Sequence, residues 1–354
     1  MLAVPTHKPQ GVHLVGSVPL PSAEHVFREV SRTLGDRLLR IPDGETGRRL
    51  DWIGWQSVLL SQHPQFEAVM PEAGARLPHP RARLRPGVTP DEVCFGPLGY
   101  ADAARASYAV FARLKQAGAI PAHVRFQVCL PSPLAPVQAF VVPEHSRLVL
   151  PAYERRLLEE LDEIATAIPH AELAIQWDVA IEFTIWEGLY AVPDLDQAKL
   201  AALDRLGRAG NRVPADVELG YHLCYGDYGH RHFVQPRDTR NLLEVANGVA
   251  ARVGRTIEWL HLPVPRDRDD PAYFRPLREL RLRPETRLYL GLIHLTDGVE
   301  GTTRRIAAAR TSVPEFGVAT ECGLGRRDPA TIPELLQLHA KVADPIAGEP
   351  KVMA

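Results

Sequence analysis

Short, β-rich apolar runs alternate regularly along this chain with longer segments of helical period, a pattern that few folds satisfy. The runs are VHLV (12–15), RLLRI (37–41), RFQVCL (125–130), ELAIQW (172–177), VELGYHL (217–223), IEWLHL (257–262), RLYLGLI (287–293) and EFGVAT (315–320). Short apolar runs of this kind are expected to be buried strands. Between the later runs lie helical candidates at 153–168, 195–210, 239–254, 300–313 and 331–343. The first of these repeats its apolar residues at i, i+3, i+4 and i+7, so one face packs and the other is wet. Parallel strands need crossovers of a dozen or more residues, and these intervals supply a helix each. Eight such strands close most simply into an α/β fold, the (β/α)8 TIM barrel, which routinely runs ~250 residues or more as one domain. A single barrel domain over 1–354 is the expectation. The stretch at about 42–124 is too long for one crossover. It carries a Pro/Arg-rich piece and a helix near 100–117, and is expected to be an insertion after the second strand that covers the barrel mouth. An open doubly wound sheet fits less well, because no glycine-rich phosphate loop follows the first run.

Composition narrows the class of partner. With 45% hydrophobic residues, 24% charged residues and a formal net charge of −2, the chain is an ordinary globular protein. It has no basic surplus of the kind that nucleic acid or an anionic membrane attracts. No apolar run approaches the ~18 residues of a membrane span. The N-terminal MLAVPTHKPQGVHLVG lacks the charged region and long apolar stretch of a signal peptide. A cytoplasmic location is therefore expected, where thiols stay reduced. The four cysteines are then free, buried or metal-bound, not a disulfide framework.

In a barrel, function sits at the carboxyl ends of the strands. Those ends read GSVP, PDGETGRR, PSP, Asp178, HLCYGDYGHRHF, HLPVPRDRDD, IHLTDG and TECGLGRR. Loop composition explains the Gly and Pro, but not His and Cys at several ends together. His222 and Cys224 form an H-x-C on one strand, so alternation points both side chains the same way. Two-residue motifs are cheap, and H-x-C alone is equally a core histidine beside a small buried cysteine. Cys322 at a comparable strand end turns the reading toward a metal. One nitrogen and two sulfurs suit zinc, which takes thiolate and imidazole in tetrahedral geometry. Cys129 sits within a strand and is expected in the core; Cys94 lies in the insertion without an evident partner. The run DYGHRHF (227–233), with Arg237, is either an anion-binding loop or a solvated charged one.

Taken together, these segments resemble the catalytic C-terminal barrel of the cobalamin-independent methionine synthase family, from VGSVP at 15–19 to ECGLGRR at 321–327. In that family a strand-end H-x-C and a late D-C-G-L supply zinc ligands. HLCYGD and ECGLGRR match them, implying His222, Cys224 and Cys322. VGSVP resembles the family's I-G-S-F-P turn and points to Ser17; DGETGRR resembles its H-G-E and points to Glu45. IQWDVA resembles Q-I-D-E-P and carries over Asp178, while LIHLTDG resembles D-I-H-S-P and points to His294. The chain departs from the family in three ways. The glutamate that is the family's fourth ligand has no clear counterpart in TIEWLHLPVP, which leaves His261, Glu258 or a water. Val179-Ala180 replaces the E-P after the aspartate. The family's separate N-terminal barrel is missing, as in core-only members, and its folate-binding apparatus is not recognisable beyond PSP at 131–133.

The resemblance implies a zinc-dependent transferase that moves a methyl or alkyl group to a thiol. Zinc coordination deprotonates a bound thiol, and the thiolate is the nucleophile. Glu45 and Asp178 would hold the ammonium group of an amino-acid thiol such as homocysteine, and Ser17 its carboxylate. His294 would protonate the leaving group or orient a ligand. Two other readings stand beside this one: thiol–epoxide alkyl transfer, found in the same superfamily, and a non-catalytic zinc- or thiol-binding barrel. The implied partners are small molecules, a thiol and an alkyl donor, with no nucleic acid and no membrane; a homodimer is compatible with the sequence.

Overall fold

The computed structural model describes residues 7–72, 78–189, 192–228 and 231–346. Its strands, in chain order, are β1 (Arg40–Pro42), β2 (Phe66–Val69), β3 (Arg81–Leu84), β4 (Arg125–Pro131), β5 (Leu173–Val179), β6 (Glu218–Leu223), β7 (Trp259–Pro263), β8 (Arg287–Ile293) and β9 (Gly317–Thr320). Seven of them form one all-parallel sheet in the order β1-β4-β5-β6-β7-β8-β9, while β2 and β3 pair as a separate antiparallel hairpin.

The run at 12–15 forms no regular strand. Its segment makes isolated parallel bridges, Val12 to Val318 on β9 and Ser17 to Gly44 just beyond β1. Backbone bonds run the same two ways: His13 N–H donates to Val318 O (2.9 Å) and Val18 N–H to Gly44 O (2.8 Å). One short segment therefore touches both edges of the sheet, which must curl to allow it. A full ladder fails on the β1 side because that strand is three residues long and ends in Pro42, which has no N–H to give.

The crossovers are helical where the period demanded it: Pro143–Ala167, Leu195–Arg212, Arg240–Ala250, Gly298–Arg310 and Ile332–Val342. The first begins earlier than its apolar repeat suggested, at Pro143, a residue suited to a helix's first turn, and it keeps Pro151 inside. Stretch 42–124 contains the β2–β3 hairpin, a short helix Gln56–Ser61 and the helix Tyr100–Gln116. Its Ile53, Leu60, Phe66 and Leu84 are buried in the main apolar cluster. No described helix is long and apolar enough to cross a membrane.

Parallel strands covered on both faces are buried throughout, as in β5 and β7. Period-two alternation then sorts what faces inward. Register pairs Asp178 with His222, and His222 with His261, across β5, β6 and β7. One step lower, Gly220 lies opposite Trp259, and a Cβ on Gly220 would fall inside the Trp259 ring. The absent side chain makes room for the indole beneath the polar layer.

Candidate metal centre

β6 delivers His222 and Cys224 to one face, and the turn after β9 delivers Cys322. A ring nitrogen of His222 and the two sulfurs lie within 4.8 Å of one another. Cys224 Sγ and Cys322 Sγ are 3.5 Å apart. Two sulfurs bound ~2.3 Å from one tetrahedral zinc are separated by roughly 3.8 Å, so the pair fits one ion without rebuilding. Gly226 N–H points at Cys224 Sγ from 3.2 Å, a donor suited to a thiolate. Among the described residues this is the only group of three or more His, Cys, Asp or Glu side chains so placed. The Cys224 thiol beside it, together with burial, pushes the Cys322 thiol well above its ordinary pKa in the metal-free protein. Such a thiol needs a cation to ionise.

The cluster forms part of the wall of a cavity of about 240 Å³, which Ser17, Glu45, Trp52, Asp178 and Arg326 also line. Asp178 is buried and accepts bonds from Gln176 Nε2 (2.8 Å) and Trp52 Nε1 (3.1 Å). Burial raises its pKa to about 7, against the effect of both donors. Glu45 is raised well above the carboxylate range, first by burial and then by Asp178. Its side chain is half-buried and lines the cavity beside Asp178. Two carboxyls held this way share a preference for a proton or a cation.

The turn that carries Glu45 is built on Asp43. Its carboxylate accepts Glu45 N–H (2.8 Å), Ser107 Oγ (2.6 Å) and Arg49 Nη2 (2.6 Å). Arg49 thus pairs with Asp43, and Glu45 is left to face the cavity. Glu45 and Trp52 are the only described non-glycine residues with positive φ, at 47° and 50°. Left-handed backbone costs a non-glycine residue roughly 1–2 kcal/mol, and both instances occur on this one wall. Gly16 lies against the same carboxyl; a Cβ there would stand 3.2 Å from Glu45 Oε2. Ser17 is tied to the Cys322 turn, accepting Gly325 N–H at 3.2 Å while its carbonyl accepts Leu324 N–H at 2.7 Å.

His294 lies elsewhere. It lines a neighbouring cavity of about 590 Å³ with His232, Arg266, Glu321 and Arg327. Its Nε2 meets Val264 O at 2.9 Å, and its Nδ1 is 3.8 Å from Glu321 Oε1. His232 Nε2 approaches the other oxygen of Glu321 at 3.1 Å. Burial would raise Glu321, but His232 and His294 outweigh it and hold the carboxyl below its ordinary pKa. Burial lowers the pKa of His294 itself. The structure therefore brings Ser17, Glu45, Asp178, His222, Cys224 and Cys322 to one cavity and sets His294 in the next.

Of the two residues weighed as a fourth ligand, Glu258 lies at the opposite end of the sheet, accepting Leu219 N–H (2.6 Å). His261 has both nitrogens engaged, with His222 Nδ1 at 2.6 Å and Thr320 O at 3.0 Å. Cys129 Sγ donates to Val15 O at 3.1 Å, behind Glu45. Of the loop 227–233, Gly229 and His230 fall outside the described residues; His232 is buried against Glu321, not solvated. Glu321, Trp52, Asp51 and Arg326 also belong to these two cavities, and no local pattern in the sequence marks them. An Asp51–Arg326 pair (2.7 Å) joins the insertion to the Cys322 turn, a long-range contact that leaves no local pattern.

A curled parallel sheet whose carboxyl ends carry a His/Cys/Cys cluster and a lined cavity defines an α/β protein of barrel type with a candidate metal centre. Solved structures place that fold more closely. The chain is similar to a putative vitamin-B12 independent methionine synthase from Listeria monocytogenes, with 14% identity over 96% of this chain and 100% of the other, at a TM-score of 0.54. It is also similar to a B12-independent methionine synthase from Shewanella sp. W3-18-1, in complex with selenomethionine, with 15% identity over 94% and 96% of the two chains, at a TM-score of 0.53. By sequence, no family model and no curated protein matches the chain.

Proposed function

We propose that this chain is a zinc-dependent thiol alkyltransferase that transfers a methyl group to homocysteine or a related amino-acid thiol. The observation that carries the reading is the meeting of the His222/Cys224/Cys322 cluster with two carboxyls, the half-buried Glu45 and the buried Asp178, on one cavity. The methionine synthase fold of the solved neighbours supports it, and we take the seven-stranded sheet plus segment 10–18 as an eight-stave barrel.

His222, Cys224 and Cys322 would hold zinc. When bound, the ion would lower the pKa of a thiol sharing its coordination sphere, which supplies the nucleophile at neutral pH. Three protein ligands with a cavity alongside is the arrangement of an open, catalytic site, not a closed structural one. The chain's own residues do the rest. An ammonium group between Glu45 and Asp178 would let both ionise, since a cation favours the charged form of each. The Ser17 hydroxyl, whose oxygen already accepts Gly325 N–H, retains its own hydrogen for a substrate carboxylate. His294, beyond Glu321, would return a proton to the departing donor. A sulfonate thiol would instead meet two carboxyls, which is why the epoxide-type chemistry is not preferred.

The test is elemental analysis of the purified protein, followed by alkylation of homocysteine with methyl iodide as a generic donor. One zinc per chain and accelerated S-methylation are expected, with both lost in Cys322→Ser. Zinc content unchanged by that substitution would remove the assignment.

A further inference from the structure

His222 and His261 are register neighbours on β6 and β7, and their Nδ1 atoms face each other at 2.6 Å. The other nitrogen of His261, Nε2, meets the backbone oxygen of Thr320 at 3.0 Å. Thr320 in turn donates its hydroxyl to the carbonyl of Cys322 (2.8 Å). All three residues are buried: His222 is 3% exposed, His261 0% and Thr320 1%. The remaining ring against His261, His13, directs its Nε2 to Gln176 Oε1 at 2.8 Å and does not compete.

For two neutral rings, elementary hydrogen-bond accounting fixes each proton. A carbonyl oxygen only accepts, so Nε2 of His261 carries the hydrogen. The Nδ1 of a neutral imidazole protonated at Nε2 is a bare lone pair. Two lone pairs cannot sit 2.6 Å apart, so Nδ1 of His222 must carry the hydrogen between them. That leaves Nε2 of His222 as the unprotonated nitrogen. We infer that His261 is a positioning residue: anchored by the Thr320 carbonyl, it fixes the tautomer and ring orientation of His222 so that Nε2 is the metal-binding atom. The anchor belongs to the chain segment that carries Cys322, so one backbone stretch sets both the sulfur ligand and the protonation of the nitrogen ligand 100 residues away by their numbers. His261 therefore acts through His222 and is not itself a ligand. The consequence for metal affinity rests on the zinc reading above; the proton placement does not.

Two measurements test it. In the metal-free, histidine-15N-labelled full chain, NMR should show His222 protonated at Nδ1 and His261 at Nε2. By chelator competition, His261→Leu should bind zinc ~10–100-fold more weakly, the usual loss when an outer partner of a metal-binding histidine is removed. His261→Gln, which keeps an acceptor toward His222 and a donor toward Thr320, should recover much of that loss. The visible spectrum of the cobalt(II)-substituted protein should change in the Leu variant and return in the Gln variant. A His222 protonated at Nε2 in the wild-type chain overturns the assignment. So does a Leu variant with wild-type zinc affinity. If the Leu variant does not fold, the wild-type tautomer decides alone. A chain with the expected tautomers that takes up no zinc would overturn the metal reading and leave the His261–His222 relationship intact.

Discussion

The sulfurs of Cys224 and Cys322, 98 positions apart in the chain, stand 3.5 Å from each other beside a single cavity. Long-range contacts bring them together. Cys224 is placed by β6, whose pairing with β5 continues through the Cys224 N–H to Val179 O bond (2.9 Å). Cys322 is placed by the turn that Ser17 binds.

Sulfurs this close are within a small side-chain movement of a bond. In the metal-free protein, treatment with a mild thiol oxidant should remove two of the four thiols, leaving Cys94 and Cys129. Saturating zinc should protect the pair, and Cys224→Ser should abolish the loss. Thiol titration of the denatured protein reads the outcome; equal loss with and without zinc would count against a shared ion.

The Asp178 carboxyl, raised by burial to about 7, gives stability a definite pH dependence. A folded-state value above the unfolded one means the native protein holds the extra proton. The stabilisation is complete at low pH, near the unfolded value, and is lost as pH rises toward 7. Metal-free wild type should therefore lose stability between about pH 4 and 7, on the order of a few kcal/mol. Asp178→Asn should reduce that slope, leaving the part contributed by Glu45, which burial also raises. Melting temperatures across the range provide the check, and identical slopes would show that Asp178 does not titrate as described.

Glu45→Gln keeps the shape of the cavity but removes a carboxyl that would ionise against a substrate ammonium group. Losing a charged hydrogen bond of about 1.5–3 kcal/mol should raise KM for an amino-acid thiol by ~10–100-fold. Zinc content should be unchanged and kcat much less affected. Steady-state kinetics with homocysteine and with a thiol lacking the amino group separate the cases: a similar rise for both would deny Glu45 its proposed contact.

His294→Ala should keep its zinc, because His294 lies in the adjoining cavity and touches no cluster residue described here. If His294 returns a proton to the donor, turnover should fall by ~10²–10⁴-fold, the usual range for a general acid. Normal turnover would dispose of that role.

Gly323 has no room for a side chain, since a Cβ would fall 2.4 Å from Ser17 Oγ. Gly323→Ala should push Ser17 and the Cys322 turn apart and cost about 1–3 kcal/mol, as overpacking does. Urea denaturation measures the loss, and zinc affinity should weaken with it. A variant of wild-type stability would mean the turn yields without resistance.

Much of this arrangement was legible in the residues. Seven of the eight apolar runs form the parallel sheet, because β-rich runs bounded by turn residues have few other ways to be buried. The run at 12–15 shows the limit: its residues suit a strand, but a ladder needs a partner edge, and β1 is too short to offer one. Alternation placed His222 and Cys224 on one face, since that periodicity is a property of the backbone. The choice between Glu258 and His261 was not legible. It depended on which end of the sheet each occupies and on what His261 faces, and register across strands is set by packing.

The α/β alternation of parallel strands and helices, and the chemical kinds of donor available, could be read from the chain alone, for local period and residue type are written in it. Long-range packing is what brings His222, Cys224 and Cys322 together, sets His261 against His222, and opens His294 onto a different cavity. Those are distances between strands and turns far apart in sequence, and no local pattern encodes them.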